Sequence, residues 1–168
     1  MIETKRLILK EYDEKYIEKA HVNFFSSEVT ARYVLWRPTK SVEEARRKVE
    51  YWINEAKIDI FWMIHEKDSD EPIGFVAANK IDEDIYGDVG IAIGENFVKK
   101  GYGSEVLKEL IDYIKLNGGK EIHYSHFKEN EASRALALKF GFEHYKSGKR
   151  VRGYDNKEFD ELFYVLKI

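Results

Sequence analysis

Apolar and polar positions recur along this chain with two periods, and the changes of period mark its elements. Arg6-Leu7-Ile8-Leu9-Lys10 is a short apolar run and reads as a strand. Asp13 is placed to cap a helix carrying Ile17, Ala20, His21 and Phe24 on one face. Ser41 and Glu44 form a capping-box pattern ahead of a helix with Val42, Ala45, Val49, Ile53 and Ala56 on one side and Glu43, Arg46, Arg47 and Glu50 on the other. Ile60 to His65, the polar turn Asp68-Ser69-Asp70 and Ile73 to Ala78 predict a hairpin, and Ile85 to Ile93 follows the turn Asp82-Glu83-Asp84 as a third strand. A helix opens near Gly101, carries Leu107, Leu110, Ile111 and Ile114, and stops at Asn117-Gly118-Gly119. Glu121 to Phe127 is a strand, Glu131 to Phe140 a short helix ended by Gly141, and Phe142–Val151 and Phe159–Leu166 two last strands.

This order predicts a mixed α/β (α+β) domain with a mostly antiparallel sheet flanked by helices. The strand–helix–strand unit around Gly101 is its parallel exception. No linker, repeat or low-complexity stretch divides the 168 residues, so residues 1–168 read as one domain.

Composition narrows the function. Lys plus Arg is 28 against 31 for Asp plus Glu, a net charge of -3, which argues against a dedicated nucleic-acid binder. With no Cys, disulfide scaffolds, thiol catalysis and cysteine-held metals are excluded, and a reducing compartment fits. The apolar runs Tyr33–Trp36 and Phe61–Ile64 fall far below the ~20 residues of a membrane span. The first residues lack an apolar signal core, and the reading is a cytoplasmic protein.

The stretch Asp88-Val89-Gly90-Ile91-Ala92-Ile93-Gly94, followed by Val98-Lys99-Lys100-Gly101-Tyr102-Gly103-Ser104, carries the chemistry. Strand alternation sends Val89, Ile91 and Ile93 to one face and Asp88, Gly90 and Ala92 to the other. Gly90 suggests a bulge or a close approach by another molecule. A strand running through two glycines into a helix start makes an anion site from backbone N–H groups, with Lys99 and Lys100 adding charge. The turn alone is also compatible with an ordinary strand-to-helix connection. It is not a dinucleotide fingerprint, because Val106 stands where the third Gly belongs. Gly148-Lys149 is no phosphate loop, since it follows a helix.

Four segments together resemble the GNAT superfamily of acetyl-CoA-dependent N-acetyltransferases, within it the group of ribosomal-protein-alanine and spermidine N-acetyltransferases. They are Glu3–Lys10, Asp88–Ile91, Gly101–Glu105, and Asn130-Glu131-Ala132-Ser133 continuing to Lys139-Phe140-Gly141-Phe142. The resemblance implies a GNAT-like twisted mixed sheet, with acetyl-CoA or coenzyme A in a V-shaped opening between two central strands. It implies acetyl transfer to a primary amine by direct attack in a ternary complex. The acceptor is a protein N-terminus, a polyamine or an aminoglycoside-like small molecule. On the matching positions the cofactor contacts would be Ile91, Ala92, Ile93, Val98, Lys99, Lys100, Gly101, Tyr102, Gly103, Ser104, Asn130, Ser133 and Lys139.

The resemblance also assigns roles. Asp88 matches the family's acidic position and would take the amine's proton, directly or through water, although it also reads as the end of a turn. The N–H groups near Ile91 and Ile93 would meet the developing oxyanion. Ser133 would donate to the departing thiolate, though Asn130 and Ser133 also suit a helix cap. Val98 departs from the family's usual Gln or Arg, and Ala137 stands where many relatives place a general-acid Tyr. Tyr33, Trp36 and Arg37 sit where relatives build the acceptor pocket.

Other features have plainer readings. His123 and His126 fall on opposite sides of a strand, His21 and His65 read as structural, and no grouping has zinc spacing, so no metal is expected. Lys146, Lys149, Arg150 and Arg152 read as a solvated basic hairpin, with RNA or a ribosomal partner as the alternative. The contending function is a non-catalytic acyl-CoA-binding or sensor domain. The number of copies is open, a homodimer among the choices.

Overall fold

The computed structural model describes residues 1–168. Two short strands open it, β1 (Ile2–Glu3) and β2 (Leu7–Lys10). They fold onto each other because Thr4 closes the turn, its backbone N–H donating to Leu7 O at 2.9 Å while its hydroxyl oxygen accepts from Leu7 N at 2.8 Å. β1 is too short to show a period and was not expected.

The first helix begins as a 3-10 turn at Glu14–Tyr16 capped by Asp13, runs as α1 (Ile17–Ala20), and widens into a π turn at His21–Phe25. The second, α2 (Val42–Glu50), is capped by Ser41, which accepts from Glu44 N at 3.1 Å. The Glu44 carboxylate closes the cap one residue early, on Lys40 N at 3.0 Å. A π turn at Tyr51–Glu55 follows, and here two expectations are corrected: Ile53 is 37% exposed and Ala56 is exposed as well, and Trp52 packs inward instead. An indole buries more apolar area than a sec-butyl group, so the widened turn settles on it.

The remaining elements are β3 (Ile60–Glu66), β4 (Pro72–Lys80), β5 (Ile85–Ile93), α3 (Tyr102–Leu116), β6 (Glu121–Phe127), α4 (Glu131–Lys139), β7 (Glu143–Val151) and β8 (Glu158–Lys167). They form an 8-stranded sheet in the order β1-β2-β3-β4-β5-β6-β8-β7, antiparallel everywhere except between β5 and β6. No helix is long and apolar enough to cross a membrane.

Strand alternation gives the sheet two apolar faces. On one, Val106, Leu107, Leu110 and Ile114 of α3 and Ala137 of α4 pack on Leu7, Leu9, Ile64, Val76, Val89 and Ile122. On the other, Ile17, Phe24, Phe25, Ala45 and Val49 pack on Phe61, Met63, Phe75, Ala77 and Ala92.

The feature that positions the site lies between β5 and β6. They pair only at Ile85↔Glu121 and Tyr86↔Ile122, then diverge. Just beyond the last pair the β4–β5 ladder shifts register, as Ala77 pairs with Gly90 but Asn79 with Gly87. The extra residue in β5 puts Asp88 in the left-handed region, at φ 51. Such a bulge bends its strand, here away from β6.

On its other side β5 lies so close to β4 that a methyl group on Gly74 would stand 2.1 Å from Ala92 O. Gly74→Ala is expected to cost about 1–3 kcal/mol, as overpacking does, and to lower the melting temperature by several degrees. Thermal unfolding of the variant checks this, and an unchanged midpoint would mean the strands part easily there.

Candidate active site

The loop before α3 is built to leave its amides free. Lys99 at φ 62 and Gly101 at φ 80 turn the chain sharply into the helix. The backbone N–H groups from Lys99 through Ser104 donate to no protein acceptor. They are the unsatisfied donors of a helix start, extended backwards by the turn, and an anion is their natural complement. The side chains divide. Tyr102 is buried and donates its hydroxyl to Glu66 at 2.7 Å, so only its amide serves the loop. The Lys100 ammonium also faces Glu66, at 3.5 Å. Lys139 reaches from the end of α4 to donate to Ser104 Oγ at 3.0 Å, which puts a cation beside the loop. Val98 and Lys99 are exposed.

Arg6 fixes the loop from below. Its guanidinium donates to Lys100 O at 2.7 Å and to Glu105 at 2.8 Å, and stacks 4.7 Å from the centre of the Tyr102 ring.

Two glycines leave room beside these donors. A Cβ at Gly90 would meet nothing within 4 Å, and one at Gly103 would make only ordinary contacts with Leu136 and Ile93. Neither is small for the sake of the protein's own packing.

Along β5 the amides also divide. Gly94 N donates to Ile73 O on β4 at 2.8 Å. By strand alternation Ala92 N points the same way, and the N–H groups of Ile91 and Ile93 point away from β4, where β6 has already left.

A cavity of about 360 Å³ opens beside this stretch. Of the expected site residues it brings together Asp88, Ile91, Ala92, Asn130, Ser133, Tyr33 and Trp36. Arg37 is not among them: it pairs with Glu44 at 2.7 Å and borders a separate polar groove. The aromatic wall is one packed set, with Trp36–Trp52 ring centres at 6.5 Å and Trp52–Phe75 at 5.3 Å.

Asp88 is exposed to the cavity and accepts from Asn79 Nδ2 at 3.3 Å. Asn130 caps α4 by accepting from Ser133 N at 3.1 Å, the expected cap, and its carboxamide nitrogen stays free. The Ser133 hydroxyl lies 2.5 Å from the Tyr124 hydroxyl. Burial pushes the Tyr124 phenol up, against the opposing pull of the Ser133 bond. Tyr124 therefore keeps its proton at neutral pH and can donate to Ser133 Oγ, freeing the serine proton for the cavity.

Tyr124, Trp52, Arg150 and Glu161 also line the cavity and were missed. Glu161 is buried, and its oxygens are engaged by Ser125 Oγ at 2.9 Å and Arg150 Nε at 3.0 Å. Tyr124 and Glu161 face the site only because α4 and β8 fold back on β6, which no local spacing announces. His126 borders the cavity while His123 pairs with Glu121, on opposite sides of β6 as alternation required.

A family model described as an acetyltransferase (GNAT) domain matches residues 6–143. The uncharacterized N-acetyltransferase YoaA of Bacillus subtilis (strain 168) is 29% identical over 147 residues, covering 85% of this chain and 82% of its own. RimL, a ribosomal L7/L12 alpha-N-protein acetyltransferase solved with coenzyme A, superposes with a TM-score of 0.81 at 20% identity, over 98% of this chain and 96% of its own. MccE, the microcin C7 self immunity acetyltransferase solved with acetyl-CoA and AMP, gives 0.83 at 20% identity, over 98% and 94%.

If Gly103 is small for a ligand alone, Gly103→Ala should fold at least as stably as the parent. Ala in place of Gly in a helix gains up to about 1 kcal/mol. A lower melting temperature would instead make Gly103 a packing residue.

Proposed function

The chain belongs to the GNAT acetyltransferase family, and from there we propose that it moves the acetyl group of acetyl-CoA onto the primary amine of an acceptor seated in the cavity beside Asp88. One observation carries the reading: the free amides of the α3 loop and the Asp88 carboxylate lie at the two ends of one uncovered stretch of β5. A non-catalytic acyl-CoA sensor would need the first and not the second.

The amides from Lys99 to Ser104, with Lys139 beside them, suit the pyrophosphate of coenzyme A, and the space at Gly90 and Gly103 admits the molecule. Bound acetyl-CoA supplies the thioester carbonyl. Asp88 takes the proton from the acceptor's ammonium group, because an alkyl amine with pKa near ~10.4 is otherwise protonated and inert. As the carbon–nitrogen bond forms, the N–H groups of Ile91 and Ile93 donate to the oxygen that gains charge. As the carbon–sulfur bond breaks, the nitrogen gives up its second proton to water, and the departing thiolate, hydrogen-bonded by the Ser133 hydroxyl that Tyr124 steadies, takes up a proton to leave as the thiol.

The cavity also speaks about the acceptor. Of its two carboxylates, Glu161 is already paired with Arg150, which leaves Asp88 to face a cation. Most of the remaining wall is aromatic or aliphatic. A polyamine or aminoglycoside carries several ammonium groups and would leave some of them against apolar surface. A single amine beside an apolar group, as at a peptide N-terminus, fits better.

Asp88→Asn keeps the shape and removes the base. Its kcat should fall about 10²–10⁴-fold while acetyl-CoA binding persists. A kcat within a few-fold of the parent, with CoA still bound, would move the reading to the sensor. Gly103→Ala should weaken CoA binding by about tenfold, equivalent to one good hydrogen bond, measured by titration calorimetry. Thiol release against peptides beginning Ser or Ala, spermidine and aminoglycosides should favour the peptides.

A further inference from the structure

Arg152 belongs to what reads in sequence as a solvated basic hairpin, yet its side chain is only 7% exposed. It sits just past β7. Its Nε and Nη2 donate to the two oxygens of Asp155 at 3.0 and 2.7 Å, a bidentate pair that fixes the plane of the guanidinium. Nη1 is then left to face residues 31–34. It donates to three carbonyls there: Ala31 O at 3.2 Å, Arg32 O at 3.0 Å and Val34 O at 3.2 Å.

Those carbonyls belong to the segment that forms the cavity wall. Tyr33, Val34, Leu35 and Trp36 line the cavity, and this stretch is loop after the 3-10 turn at Thr30–Tyr33. Between the bond of Val34 N to Ala31 O and that of Thr39 N to Phe25 O, no backbone amide of the segment is held. Every hydrogen bond joining the segment to the β7–β8 hairpin comes from Arg152. The same guanidinium lies 5.0 Å over the Phe159 ring, which stacks at 4.0 Å on Phe127, another wall residue. One side chain thus touches the 31–34 segment by hydrogen bonds and, through Phe159, reaches Phe127 on the cavity wall.

We propose that Arg152 is a positioning residue for the acceptor: by clamping the carbonyls of residues 31–34 to the β7–β8 hairpin, it sets where Tyr33 to Trp36 stand relative to Asp88, and so how tightly the amine-bearing acceptor is held. The kinetic part rests on the acetyltransferase reading above, and the mechanical part does not. Arg152 touches neither substrate, so it acts through the wall. A lysine would keep the charge and lose the fork, because a single ammonium cannot hold the Asp155 pair and three carbonyls in one plane.

The test compares Arg152→Lys and Arg152→Met with the parent by two readouts. The first is hydrogen exchange at the amides of Ala31, Arg32 and Val34, which should quicken by about tenfold or more, the equivalent of one lost charge-assisted bond, with the β4 and β5 amides unchanged. The second is a kinetic split, in which KM for the acceptor rises by a similar factor and KM for acetyl-CoA stays put. Asp155→Asn, which loosens the guanidinium without removing it, should move both readouts the same way by less, and it serves if the Arg152 variants fail to fold. Unchanged exchange at residues 31–34 would overturn the proposal. So would a parallel rise in both KM values with faster exchange throughout, which marks general destabilisation. A parent enzyme inactive on every amine would sink the acetyltransferase reading and leave the exchange result to judge the clamp.

Discussion

The structure turns on two parallel strands that pair briefly and then part. A buried backbone N–H without a partner is costly, so a sheet rarely leaves a strand half paired. Here β5 keeps its ladder with β4 from Tyr86 to Ile93, and β6 keeps its own with β8 from Glu121 to Phe127. The separation therefore falls on one side of each strand only. The bulge at Asp88 bends β5 at the point of parting, and the apolar layer under α3 and α4, which takes Val76 and Val89 from one half of the sheet and Ile122 and Tyr164 from the other, holds the halves together. Donors that would be a defect in an ordinary sheet become the lining of a cleft.

The second constraint is the footing of the loop. Glu105 stands in the first turn of α3, where a carboxylate is favoured by the helix dipole. Burial pushes its carboxyl up, but the bonds from Thr4 and Arg6 outweigh that and hold it below the usual range. The helix start thus has two sides with different tasks. Glu105 is answered from below by the first residues of the chain, and the amides above stay open. Arg6 joins both levels, because the same guanidinium that pairs with Glu105 also holds Lys100 O.

Most of this was legible from local pattern. The alternation from Val89 to Ile93 put Ala92 in one core and Val89, Ile91 and Ile93 against the other. The glycines announced the α3 loop, and Asn130 announced its cap. What escaped depends on partners that another element supplies. Arg152 reads as a surface cation until the carbonyls of residues 31–34 are seen beside it, and Tyr124 as a core aromatic until α4 brings Ser133 to it. Arg37 was misplaced for a similar reason: Glu44 on α2 draws it out of the wall its neighbours form. Whether a side chain's partner comes from its own element or from another, more than residue type, separates what was read from what was missed.

The left-handed backbone at Asp88 also explains a choice of residue. An aspartate carboxylate stands one carbon closer to the backbone than a glutamate's would. At φ 51 the backbone favours the few residue types whose short polar side chains tolerate that region, Asp and Asn foremost. The bulge that opens the cleft therefore also dictates the length of its carboxylate. If Asp88 is the base proposed above, reach lost at the side chain is recovered by a bridging water or by the acceptor, so the strand's curvature, fixed at folding, would set how deep an amine must travel to react.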